Sequence, residues 1–155
     1  MPNWCMNILD LEHEDPKMIE KVKTASENHC LFTTFAPPEV SNRADFDVVN
    51  AQEMAWGSKW DPMSTDVVSS ALNSIQVMFD TAWIPPLRFY ETLYAHGFSV
   101  RGYYWEPGMG FGGVFTDGVD DHYGNICKET LNEIPEDLEH IFSMKEAFDS
   151  WETAL

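Results

Sequence analysis

Apolar and polar positions alternate from the start of the chain. Across residues 3–11, Trp4, Met6 and Ile8 fall on one face of an extended strand, and Cys5, Asn7, Leu9 and Leu11 fall on the other. Both faces are largely apolar, which predicts a central strand, and Asn7 then needs a hydrogen-bond partner inside the protein. Asp15-Pro16 predicts a helix start, with Asp at the N-cap and Pro at the first helical position. Ile19, Val22 and Ala25 form its inward stripe, and it should end near Asn28. Residues 31–55 lack a period. Pro37-Pro38 breaks the backbone there, and a short helix near Phe46–Met54 is the one regular element expected.

The next strand is Ser74–Phe79, where Ile75, Val77 and Phe79 alternate with polar positions. Pro85-Pro86 starts a helix carrying Leu87, Tyr90, Leu93 and Tyr94 inward, stopped by Gly97. Phe98–Trp105 reads as a strand, Glu106–Gly110 as a turn and Phe111–Phe115 as the returning strand. Thr116-Asp117-Gly118 turns again, and His122–Cys127 is the last strand expected. From Pro135 onward, Leu138, Ile141, Met144, Phe148 and Trp151 recur at helical spacing, predicting one long helix with Glu139 and Glu146 pointing away and Glu136 to the side. This order predicts an α+β two-layer sandwich: a mostly antiparallel sheet, helices on one face and a C-terminal acidic helix. The chain reads as a single domain over 1–155, with an acidic extension from about 117 to 155.

Composition changes the picture mainly through charge. The 155 residues hold 26 Asp+Glu against 9 Lys+Arg, a formal net charge of −17. Phosphate contacts need Lys and Arg, so direct nucleic-acid binding is not expected. Anionic membrane surfaces are equally poor partners, and no apolar run is long enough to span a bilayer. Averaged over the surface, the charge is several-fold more dilute than that of duplex DNA. It is uneven, however: up to Arg101 there are 14 acids and 7 bases, whereas from Gly102 there are 12 acids and only Lys128 and Lys145. Cys5, Cys30 and Cys127 are odd in number and widely spaced, and no leader is visible, so reduced thiols in a cytoplasm are expected.

Catalytic chemistry is hard to place. Histidines and cysteines show no CxxC, HxxxH or HExxH spacing, so neither a metal nor a cofactor is expected. No nucleophile sits in a recognisable elbow. Glu106-Pro107-Gly108-Met109-Gly110 lacks the Lys-Ser/Thr of a phosphate loop and reads as a hairpin turn. Trp56-Gly57-Ser58-Lys59-Trp60-Asp61 has two readings. Both indoles fill the core with Lys59 paired to Asp61 or Asp80, or Lys59 marks a small-ligand site between them. Asp117, Asp120 and Asp121 form an oxygen-rich loop that lacks EF-hand spacing.

Four clusters occur together in order: Met1-Pro2-Asn3-Trp4-Cys5 with Asn7; Trp56-Gly57-Ser58-Lys59-Trp60-Asp61; Phe79-Asp80-Thr81-Ala82-Trp83 with Pro85-Pro86; and Tyr103-Tyr104 with Glu106-Pro107-Gly108-Met109-Gly110-Phe111 and Gly113. Over residues 1–115 this pattern resembles the YubB-type ferredoxin-like domain family of phage and conjugative-plasmid proteins. The resemblance implies a ferredoxin-like fold and a mobile-element origin, and it implies no catalytic role. It does not extend over the acidic tail after Asp117.

The function expected on these grounds is non-enzymatic. An acidic protein of this kind would act in the host cytoplasm and inhibit a basic, nucleic-acid-binding defence protein by presenting a DNA-mimicking carboxylate surface. The candidate partner-binding residues are Glu133, Glu136, Glu139, Glu146, Asp149, Asp117, Asp120 and Asp121. The alternative is an interaction or structural module built on the Trp/Gly-rich clusters. The C-terminal apolar stripe is long enough to dock on its own sheet or on a second copy.

Overall fold

Strand β1 (Trp4–Glu12) forms where both faces of an extended segment are apolar, and it lies inside the sheet with neighbours on both sides. The computed structural model describes residues 2–39 and 45–154. Among these, the elements following β1 are α1 (Pro16–Glu27), α2 (Leu31–Phe35), α3 (Asp45–Trp56), β2 (Thr65–Ser70), β3 (Ser74–Ala82) and α4 (Leu87–Ala95). Then come β4 (Ser99–Glu106), β5 (Phe111–Thr116), β6 (Val119–Tyr123), a 3-10 helix (Lys128–Glu133), α5 (Glu136–Ile141) and α6 (Met144–Thr153). The class is α+β. One six-stranded sheet has the order β2-β3-β1-β4-β5-β6, every pair antiparallel. The helices between β1 and β2, and α4 between β3 and β4, each carry the chain past one intervening strand.

Local chemistry accounts for the element ends. Asp15 caps α1 by accepting from the Lys17 N–H, Pro16 opens the helix, and Asn28 closes it. The β5–β6 hairpin turns on Asp117 and Gly118, both at positive φ (45° and 94°), as a tight two-residue connection requires. That tight turn starts β6 at Val119, earlier than the predicted His122, and Asn125 at φ 53° follows its end. Strand β2 and the short α2 are not in the predicted set. The helix expected at Phe46–Met54 is longer and runs over Asp45–Trp56.

The expected two-layer arrangement, with helices on one face, is corrected to helices on both faces. On one side, Leu9 and Leu11 of β1, Val77 and Phe79 of β3 and Phe115 of β5 pack with α1, α2 and α4. Alternation along the strands sends Met6, Ile8, Tyr103, Trp105 and Val114 to the other side. There they meet Leu138, Phe142, Met144 and Phe148 of the C-terminal segment. This second layer lies against β4 and β5, reaches Met6 and Ile8 of β1, and leaves β3 and β2 of that face uncovered by a helix.

The predicted single C-terminal helix is two helices. Its apolar stripe continues in register, but Ser143 takes a left-handed conformation (φ 49°) and turns the chain between α5 and α6. Of the expected stripe, Leu138 and Met144 are fully buried and Ile141 and Phe148 half-buried, whereas Trp151 is exposed. In α4 the inward residues are Phe89, Tyr90 and Leu93, while Tyr94 is exposed.

Candidate functional site

The eight acidic candidates do not form one face. Asp120 and Asp121 are adjacent on an edge strand and so point to opposite sides of the sheet. Asp120 accepts the Tyr104 hydroxyl at 2.8 Å, and Asp117 accepts the Val100 N–H at 2.7 Å, tying its turn to the start of β4. Burial and the Asp120 carboxylate together push the Tyr104 phenol far above its usual range. Glu139 is not an outward carboxylate either. Its side chain is 14% exposed, lies 3.3 Å from His140 Nε2 and accepts the Lys145 N–H at 3.0 Å. It caps α6, a role that the left-handed Ser143 does not perform. Asp149 pairs with Lys128 at 2.8 Å, and Glu152 meets the same ammonium at 2.6 Å. The nearby cation holds the Asp149 carboxyl below its usual value. Glu133, Glu136, Glu146 and Asp121 remain exposed, without an ion pair among the described residues.

The aromatic clusters divide between structure and surface. Trp56 is buried and donates its indole N–H to the Ala36 carbonyl at 2.6 Å. Trp60 is 49% exposed, so the expectation that both indoles fill the core holds for one of them. Lys59 forms no ion pair with Asp61 or Asp80 among the described residues. Asp61 is engaged elsewhere: its two oxygens take the Phe32 N–H at 2.7 Å and the Thr33 N–H at 3.1 Å, capping α2 from 29 residues away. Glu106, 1% exposed, accepts the Gly108 and Met109 N–H groups at 2.6 and 2.8 Å, which makes its loop the expected hairpin turn. Among the described residues no group of three or more His, Cys, Asp or Glu is placed to hold a metal ion. Nor is any helix there long and apolar enough to cross a membrane.

A concave surface that the sequence did not single out lies where the C-terminal layer ends over β1 and leaves β3 open. Its floor is Met6 and Ile8 of β1 with Met78 and Asp80 of β3, and it encloses about 520 Å³. Trp4 and Met63 form one wall, and Ile141 with Phe142, at the corner between α5 and α6, form the other. An adjoining cavity of about 370 Å³ shares Trp4, Met63 and Asp80 and adds Trp60 and Pro2. Trp4, Trp60, Met63 and Met78 are all exposed large apolar side chains. Isolated ones are ordinary, whereas a contiguous set lining a groove marks an interaction surface. Asp66 pairs with Met78 across β2–β3, so Asp66 and Asp80 sit diagonally on the same face. Burial, reinforced by the Asp66 charge, raises the Asp80 carboxyl above its ordinary value.

Comparison with known proteins gives little to set beside this geometry. No family model matches the chain, and no curated protein matches it. Among solved structures, the crystal structure of protein api92 from Yersinia pseudotuberculosis, assigned to the family model DUF1281, is similar in part. The TM-score is 0.41 and the identity 22%, over 50% of this chain and 30% of that one.

Proposed function

We propose that this is a non-enzymatic binding protein that engages a basic partner through its carboxylates, occupying the nucleic-acid channel of a host defence protein. The observation that carries the reading is the charge imbalance after Arg101: 12 acids against Lys128 and Lys145, with Lys128 already held by Asp149 and Glu152. Over an accessible surface of 8886 Å² the chain carries a net −17, so a basic channel would attract it from a distance. Glu133, Glu136, Glu146 and Asp121 are the residues best placed to meet Arg or Lys, because no ion pair among the described residues neutralises them.

The order β2-β3-β1-β4, with helical crossovers between β1 and β2 and between β3 and β4, supports reading these four strands as a ferredoxin-like core. On that reading β5, β6 and the second helical layer are additions, and the full six-strand order departs from a bare four-strand sheet. The sequence resemblance to YubB-type proteins of phages and conjugative plasmids supports reading the same core, and with it action in a host cytoplasm as part of this proposal.

The test is capture from host lysate with the purified protein at low and at high salt. Recovery of a basic nucleic-acid-binding protein, released by salt and lost with Glu133→Gln/Glu136→Gln/Glu146→Gln, is the expected result. Capture of salt-insensitive partners only, or of none, overturns the reading.

A further inference from the structure

We propose that the groove over β1 and β3 is a docking site for a peptide segment of the partner in which basic residues alternate with apolar ones. The proposal deepens the reading above, since it rests on a basic partner and specifies how that partner's chain is gripped.

Three observations narrow the occupant. The floor and near wall are largely apolar, with half-buried Met6 and Ile8 and exposed Met78 and Trp4 lining the cavity. An occupant must therefore bring apolar groups to cover them. The groove also carries two carboxylates on one face, Asp66 and Asp80, and neither is ion-paired among the described residues. Like charges placed diagonally on neighbouring strands cost stability, and burial adds to that cost at Asp80. A cation delivered by the occupant would relieve it. Finally, the indoles of Trp4 and Trp60 border the space beside Asp80. Exposed indole faces attract an ammonium or guanidinium, while the aliphatic stems of Lys and Arg lie well along Met and Ile.

The other occupants fit less well. Nucleic acid and anionic lipid bring phosphates against two carboxylates. A second copy of this chain brings another −17 against the first. A basic, apolar peptide complements both the surface and the charge.

The probe is a short fluorescein-labelled peptide alternating Leu and Arg, titrated against the full chain by fluorescence polarisation. Two controls accompany it: Gly for every Leu, and Glu for every Arg. The expected result is saturable binding of the Leu-Arg peptide, with the Gly-Arg peptide about tenfold weaker and the Leu-Glu peptide silent. Asp66→Asn/Asp80→Asn should weaken the Leu-Arg peptide by about tenfold or more. Met78→Glu, which places a third carboxylate on the floor, should weaken the apolar contribution and bring the two Arg peptides closer together. Circular dichroism of each variant separates lost binding from lost folding, and the conservative Asn pair keeps the test open if Met78→Glu unfolds.

Equal affinity for the Gly-Arg and Leu-Arg peptides overturns the proposal, because bulk charge alone would then suffice. Binding of the Leu-Glu peptide, insensitivity to the Asn pair, or no binding of any peptide overturns it as well. Glu133→Gln/Glu136→Gln/Glu146→Gln should leave peptide affinity within about twofold at moderate salt, since those groups lie outside the groove. Loss of lysate capture by that variant with peptide binding intact, or the reverse, tells the two readings apart.

Discussion

Tyr90 of α4 donates its hydroxyl to Asn7 Oδ1 of β1 at 2.9 Å, bridging 83 residues of chain in the buried interior. The same amide donates to Thr81 Oγ1 at 2.9 Å and to the Cys5 carbonyl at 3.0 Å, so a fully buried Asn has partners for both ends. Tyr90→Phe strips the acceptor of its partner without changing the packed ring. The expected cost is about 1–3 kcal/mol, the penalty for orphaning a buried polar group, read as a lower urea midpoint with an unchanged slope.

Asp61 holds the start of α2 from beyond α3. Asp61→Ala should cost about 1 kcal/mol, within the ordinary range for losing an N-cap. Amide exchange should quicken at Phe32 and Thr33, whose N–H groups lose their acceptor, while β1 and β3 keep their protection.

Asp80 gives a prediction with a definite sign. Its folded-state pKa is raised, by burial first and by Asp66 second. The folded protein therefore binds more protons than the unfolded chain just above the ordinary carboxylate range, and stability falls as pH rises through that window. Asp80→Asn removes this slope. Because the group is half-exposed, the gain at neutral pH should be small, about 0.5 kcal/mol, visible as a modest rise in Tm and a flatter profile between mildly acidic and neutral pH.

Met144 is fully buried at the first turn of α6, against the Trp105 side of the sheet. Met144→Ala should cost about 2–5 kcal/mol, as core truncations do. The loss should concentrate in the C-terminal layer. Trp105 stacks on Trp151 with ring centroids 5.8 Å apart, so the fluorescence of that pair should change before the signal from the opposite core does.

Where periodicity was strong, the chain could be read directly. β1 was legible because Leu9 and Leu11 alternate with Met6 and Ile8, and α1 because Asp15-Pro16 marks its start. β2 was not, because Thr65–Ser70 is an edge strand with little inward apolar content and a bulge between Val67 and Ser69. The break at Ser143 was hidden for a different reason: apolar spacing of three and four survives a single left-handed residue. The acidic candidates were visible as composition, but which of them are already engaged depends on contacts such as Lys145 N–H to Glu139. The groove was illegible because Trp4, Met63, Met78 and Phe142 come from four distant segments. They become a surface only once the C-terminal layer is known to stop at β1 and leave β3 open.

The corner at Phe142 and Ser143 belongs to two things at once. Phe142 walls the groove and packs on Trp105, and Ser143 sets the direction in which α6 leaves. Phe142 and the left-handed Ser143 are consecutive, so the groove wall and the start of α6 are set by adjoining backbone. Two consecutive residues thus fix both a wall of the groove and the course of the last helix, so a substitution at either is felt on both surfaces.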